Sequence, residues 1–329
     1  MTDDEALAIL AKYPVGGSLD SATNLLGTKL WGERQAPFLP IVSDPQLTPE
    51  TLRAAFERLT AVVVLPRAEN ESLRPPRRIN LGWRELCVLT EFATNPSAPA
   101  DCVAGMVAIA CGPGQVGPQI GAEAGSCTRS TLARELLDRA DLSNESRQEL
   151  GLADCIKVRR AALEHGGLAP STIRDAVNMA LRHGQAGGEA AGDATDYLKS
   201  AIESEDTPDF VLQLLMERLP DLATLHQVLT PLYQSPRTLP FIRSVDPVLA
   251  GPYEGARGLV ANPGLADPKH SGLLRAIYAN GDRDTRYALA HRDDLPRWLY
   301  RYLRWDYRSV DRETRRAAKD QLRRHKRKH

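Results

Sequence analysis

The chain has 329 residues, and its 42 Lys+Arg are balanced by 42 Asp+Glu, so strong global attraction to nucleic acid or to a membrane surface is excluded. A hydrophobic content of 42% is enough to bury a core and excludes disorder throughout. The length fits two or three domains of about 150 residues, or one extended array.

The start, Met1-Thr2-Asp3-Asp4-Glu5, is acidic where a secretory signal needs a basic beginning and an apolar stretch. The longest candidate apolar run, Cys102 to Cys111, is about half of the ~20 residues that cross a bilayer. The expectation is a cytoplasmic protein with no membrane partner. Five cysteines (Cys87, Cys102, Cys111, Cys127, Cys155) form no Cys-x-x-Cys pair, which speaks against zinc. They read as small buried residues in a reducing compartment. Arginine outnumbers lysine 34 to 8, which reflects GC-rich coding before it reflects selection for forked donors.

Helical periodicity is widespread and strand alternation nearly absent. Ile173, Ala176, Val177, Ala180 and Leu181 recur at i, i+3, i+4, i+7 and i+8, which predicts an amphipathic helix opened by Pro170. Proline precedes or opens such runs at Pro49, Pro99, Pro170, Pro208, Pro240, Pro268 and Pro296, with capping types at Thr48, Thr207 and Asp267. The last three prolines are 28 residues apart, and Asp282-Arg283-Asp284-Thr285-Arg286 returns 29 residues later as Asp311-Arg312-Glu313-Thr314-Arg315. A fixed period of this size predicts stacked pairs of helices, each unable to bury its apolar face alone. The expected fold is all-α, an α-solenoid of short paired helices without a substantial sheet.

The domain organisation that follows is an N-terminal helical region over 1–111, a Gly/Pro-rich loop over 112–127 and middle repeats over 128–183. A Gly/Ala-rich linker over 184–195, a C-terminal array over 196–318 and a basic tail over 319–329 complete it.

The repeated pattern is carried by Ala256 to Pro268, by Thr285 to Pro296 and by Val158 to Pro170, with weaker copies around Asn95-Pro96 and Asp44-Pro45. It resembles the leucine-rich repeat variant family and the bacterial HEAT-like α-solenoids. The resemblance implies a superhelix of short helices whose concave surface binds other macromolecules. The iron–sulfur cluster that one member of the variant family carries on closely spaced cysteines is not implied, because the spacing here departs from that pattern.

No catalytic, cofactor-binding or metal-binding residue is assigned. Gly112-Pro113-Gly114-Gln115-Val116-Gly117 has the dinucleotide-binding spacing but lacks the flanking strand and helix, and reads as a loop. There is no His-Glu-x-x-His and no Gly-x-Ser-x-Gly. Asp282, Arg286, Asp311 and Arg315 read as a structural ladder, each aspartate at a helix start and an arginine bonding the neighbouring repeat's acid. His165 and His291 read as turn residues taking the place of Asn262.

The segment from Arg297 to Arg308 carries the candidate site. On a helix, Arg297, Arg301, Arg304 and Arg308 fall within about 60° of one another, Trp298, Tyr302 and Trp305 lie along one edge, and Leu299 and Leu303 point the opposite way. Guanidinium groups beside rings suit phosphates and bases; the same residues also suit an aromatic wedge between repeats with arginine stems laid over it. Arg323, Arg324 and Lys326 extend the basic character. Residues 282 to 329 hold 16 Lys+Arg against 8 Asp+Glu, a net +8, so the neutral total conceals a dipolar chain. The expected function is a non-enzymatic scaffold with a protein partner. DNA or RNA binding through the C-terminal stripe, with a DNA-repair connection, is the alternative.

Overall fold

The computed structural model describes residues 1–12, 38–60, 83–112, 129–251, 253–306 and 310–327. Among them every regular element is a helix and none is a strand, so the fold is all-α as expected. The glycine-rich segment at 113–127, with its dinucleotide-like spacing, and Arg308 lie outside the described residues. The chain divides into two compact units, Met1–Thr172 and Ile173–His329.

The first unit contains α1 (Asp3–Leu10), α2 (Leu39–Val42), α3 (Pro49–Thr60), α4 (Trp83–Thr94), α5 (Ala100–Cys111), α6 (Arg129–Leu137), α7 (Asn144–Gly151) and α8 (Ile156–His165). α9 (Pro170–Ala186) carries the boundary. The second unit continues with α10 (Gly188–Glu203), α11 (Asp209–Arg218), α12 (Leu229–Gln234), α13 (Asp246–Ala250), α14 (Tyr253–Ala261), α15 (Ser271–Asn280), α16 (Arg283–His291), α17 (Arg297–Trp305) and α18 (Arg312–Arg327).

The prolines act as helix starters. Pro49 and Pro170 are first residues of α3 and α9, while Pro99, Pro208 and Pro296 sit directly before α5, α11 and α17. In each place the missing N–H is one the helix leaves unused. Pro240 departs from this, lying inside a 3-10 turn over Pro236–Phe241, and Pro268 opens a 3-10 turn before α15. Of the capping types, Asp267 accepts from Lys269 N, whereas the Thr207 hydroxyl is buried and has no hydrogen-bond partner among the described residues. The stretch 184–195 is helical on either side of Gly187, whose φ of 74° suits glycine and separates α9 from α10.

Each unit buries an apolar core. Ile173, Ala176, Val177, Ala180 and Leu181 are all buried, as their spacing predicts. In the first unit α2 packs on α4, α4 on α6 and α6 on α8; in the second α12 packs on α14, α14 on α16 and α16 on α18. Gly258 allows the closest of these approaches, because a Cβ there would overlap the Thr230 carbonyl.

A ladder of side chains ties consecutive turns together, and it is built twice. Asn95, just after α4, donates from Nδ2 to Val42 O (2.7 Å) and Asp44 O (3.2 Å), while its Oδ1 accepts from Ser97 N (2.8 Å). Asn262, just after α14, donates to Tyr233 O (2.7 Å) and Ser235 O (2.8 Å), and its Oδ1 accepts from Gly264 N (2.9 Å). On the next rung an arginine replaces the asparagine. Arg139 Nη1 donates to Ala93 O (2.8 Å) and Asn95 O (2.7 Å), and Asp141 holds the rest of its guanidinium. Arg292 Nη1 donates to Val260 O (2.6 Å) and Asn262 O (2.7 Å), with Asp294 in the same supporting role. These groups donate to carbonyls at the helix ends and in the turns that follow, some of which, such as Asn95 O and Ser235 O, also accept a backbone N–H.

The histidines therefore do not take the asparagine's place. His165 and His291 are the last residues of α8 and α16, and Arg292 occupies the position expected of His291. His291 Nδ1 instead bonds Tyr287 O at 2.8 Å, and His165 Nδ1 meets Arg147 at 2.8 Å. Cys102, Cys111 and Cys155 are free, and burial pushes the Cys102 and Cys111 thiols up to about 12, which keeps them protonated and unreactive. Cys87 is disulfide-bonded. That departs from the expectation that the cysteines are simply small buried residues.

Candidate macromolecule-binding face

α17 is held by its inner side. Leu299, Tyr300 and Leu303 are fully buried, the two leucines on the side the sequence assigns them. The Tyr300 hydroxyl donates to Arg292 O (2.8 Å) and accepts from Leu295 N (3.2 Å), which fixes the helix to the last arginine rung. Burial pushes this phenol up to about 12, so it remains a donor. The His325 ring of α18 lies 5.5 Å from Tyr300 on the other side.

The outer side gathers rings and guanidinium groups. Tyr302 stands edge-on to Trp298 at 5.7 Å and tilted to Tyr278 of α15 at 6.0 Å. Arg275 lies over Trp298 at 5.3 Å, Arg286 over Tyr278 at 5.7 Å and Arg304 over Trp305 at 4.8 Å, within cation–π range. The result is a row from Arg275 through Trp298, Tyr302 and Tyr278 to Arg286. The Tyr278 hydroxyl donates to Asp306 Oδ2 at 2.8 Å; burial first and this carboxylate second push the phenol up to about 12. Despite these contacts Tyr302 is 57% and Trp305 61% exposed. A wedge buried between repeats would hide them, and it is Tyr300 that fills the interior.

Arg297 and Arg301 are exposed and make no hydrogen bond or ion pair among the described residues. Arg304 contacts only the Trp305 ring there. On α18, which is helical to Arg327, Arg323 pairs with Asp320 at 3.3 Å, and Arg324 and Lys326 are exposed. The structure thus brings Arg297, Trp298, Arg301, Tyr302, Arg304 and Trp305 onto one helix face and carries Arg323, Arg324 and Lys326 on another helix.

The expected acid–base ladder has a different arginine. Asp282 and Asp311 cap α16 and α18, accepting from Thr285 N and Thr314 N, but Arg283 bonds Asp311 (2.8 Å) while Arg286 donates to Tyr278 O (3.1 Å) and Ala279 O (3.2 Å). The Thr314 N–H first and the Arg283 guanidinium next hold the Asp311 carboxyl down to about 2. Arg315 donates to Val310 O.

Sequence reasoning missed Arg275 and Tyr278, and it gave Arg286 a role in the acid–base ladder and not beside Tyr278. The repeat length was the available signal, since Tyr278 and Asp306, like Arg283 and Asp311, are 28 residues apart and hydrogen-bonded. Two cavities also open in the second unit. One of 220 Å³ between α14 and α16 is lined by Arg257, Asp282, Thr285 and Arg292; one of 440 Å³ is lined by Met216, Tyr233, Phe241 and Val248 among others. Among the described residues no three His, Cys, Asp or Glu gather to hold a metal ion, and no helix is long and apolar enough to cross a membrane. Compared with known proteins, the chain matches no family model, no curated protein and no solved structure.

Proposed function

We propose that the chain is a non-enzymatic scaffold of the HEAT-like or leucine-rich repeat variant type, an α-solenoid that binds a protein partner through the α15–α17 face. One observation carries this reading: α17 uses Leu299, Tyr300 and Leu303 to hold itself in the fold and leaves Tyr302 and Trp305 exposed beside the free heads of Arg297 and Arg301. Tyr, Trp and Arg are the side chains that most often anchor protein interfaces. The carboxylates Asp282, Asp284, Asp293, Asp294 and Asp306 in the same stretch favour a mixed-sign protein surface over a polyanion.

The second reading, a single nucleic-acid strand stacked on the rings with phosphates on the arginines, draws on the unpaired stripe itself. A photo-crosslinker at position 301 in the full chain separates the two. Protein adducts that disappear on Trp305→Ala support the first reading. Nucleic-acid adducts, with affinity falling steeply as salt rises, replace it with the second.

A further inference from the structure

We infer that the partner segment on this face is an acidic amphipathic α-helix. The inference rests on the protein-binding reading above and names its ligand. α17 displays two parallel rows with identical spacing: Arg297, Arg301 and Arg304, and Trp298, Tyr302 and Trp305, each at i, i+4 and i+7. At ~100° and ~1.5 Å per residue, each row runs along the helix for about 10 Å and the two lie about 100° apart. A polymer that meets both rows in register must repeat its own charges and apolar groups at the same rise. A second α-helix does so, with carboxylates at i, i+4 and i+7 and an adjoining apolar row.

The aromatic row is also where a helix can seat. Trp298 and Tyr302 meet Arg275 and Tyr278 of α15, so the seam between α15 and α17 is floored by rings, while Tyr302 and Trp305 stand out of it. Charge decides the occupant's sign. Among the described residues Arg283, Arg292 and Arg323 are paired with Asp311, Asp294 and Asp320, whereas Arg297 and Arg301 on the outer face of α17 make no ion pair, so this row offers unpaired cations beside the rings. Carboxylates facing them would give the α17 row the pairing that Arg283, Arg292 and Arg323 already have. Three cations over about 10 Å make a short, helix-matched contact.

The test uses the full chain and three probes: an end-blocked peptide of about 20 residues, long enough to be helical, with a Leu row beside a Glu row at i, i+4 and i+7; a scrambled peptide of the same composition; and a single-stranded oligonucleotide of the same net charge. Fluorescence anisotropy should show the patterned peptide binding at least about tenfold tighter than the scrambled one. Arg301→Glu should abolish that preference, and exchanging the facing Glu for Lys in the peptide should restore it. Arg301 is exposed and unpaired, so an unchanged far-UV spectrum and melting curve are expected for the variant. Equal binding of the two peptides, no binding of either, or tighter binding of the oligonucleotide overturns the helix inference. If the peptides fail while crosslinking at position 301 still captures a protein that Trp305→Ala loses, only the helix inference falls. If both fail, the protein-binding reading falls with it.

Discussion

α7 in the first unit and α17 in the second follow the same arginine rung, Arg139 in one case and Arg292 in the other, and each leads into a helix that packs back on the rung's own helix. Their outer faces have opposite fates. On α7 two polar side chains reach the end of α8 and the turn after it: the Gln148 amide donates to Gly167 O (3.2 Å) and accepts from Ala169 N (2.8 Å), and Arg147 meets His165. On α17 the corresponding surface keeps aromatic rings and cations turned to solvent. The same scaffold is thus used once to close a turn and once to present a surface, so function has to be sought in what the second copy adds.

This comparison can be broken by variants ordered from the largest expected effect to the smallest. Arg139→Ala removes a guanidinium whose side chain is only 6% exposed, and with it the side-chain donor to Ala93 O and one of two donors to Asn95 O. A loss of about 3 kcal/mol is expected. Arg292→Ala should cost somewhat less, about 2 kcal/mol, since its side chain is 14% exposed. Chemical denaturation checks both, and a negligible effect of either would mean that the two rungs are not equivalent. Asn95→Ala and Asn262→Ala should each cost about 2 kcal/mol, because each deletes two donated hydrogen bonds and one accepted one at a buried turn. A marked inequality between them would show that one ladder is ornamental.

A smaller effect is expected from acid. The folded-state value of Asp311, about 2, lies below the ~3.9 of an unfolded aspartate. Its contribution to stability is therefore complete above pH ~4 and is lost as pH falls towards 2. Asp311→Asn should lower stability at neutral pH and flatten this part of the acid limb in a thermal-melt series. The smallest effect on stability belongs to the α17 face: Tyr302→Ala with Trp305→Ala should shift stability by no more than about 0.5 kcal/mol while abolishing partner capture. A large drop in melting temperature would instead make the rings structural, and the contrast with α7 would vanish.

Much of this could be read from the residues, and the reasons for the remainder are specific. The helix class followed from spacing and from prolines such as Pro49, Pro170 and Pro296, whose effect is local. The two sides of α17 followed from the helical angle alone. The duplication of the ladder was hidden because Asn95 is followed by its arginine after 44 residues and Asn262 after 30, and because asparagine and arginine share no sequence likeness although both donate to turn carbonyls. Arg283 and Arg286 stand in one pentapeptide and face different ways, so the choice of which reaches Asp311 depends on packing. Tyr278 lies in α15, outside the segment where aromatic residues are dense, and only the 28-residue step links it to Asp306.

The ladder also gives each unit a direction, since each rung donates to carbonyls of the turn before it. A stack built this way has one end that is always hungry. In the second unit α18 closes that end, with the Gln321 amide reaching His291 O at 3.4 Å and Ala318 and Leu322 covering the apolar side. The long basic helix is therefore a stopper as well as a carrier of charge. Ending the chain before Asp311 would leave an adhesive edge, and such a protein should associate with itself more strongly than the full chain.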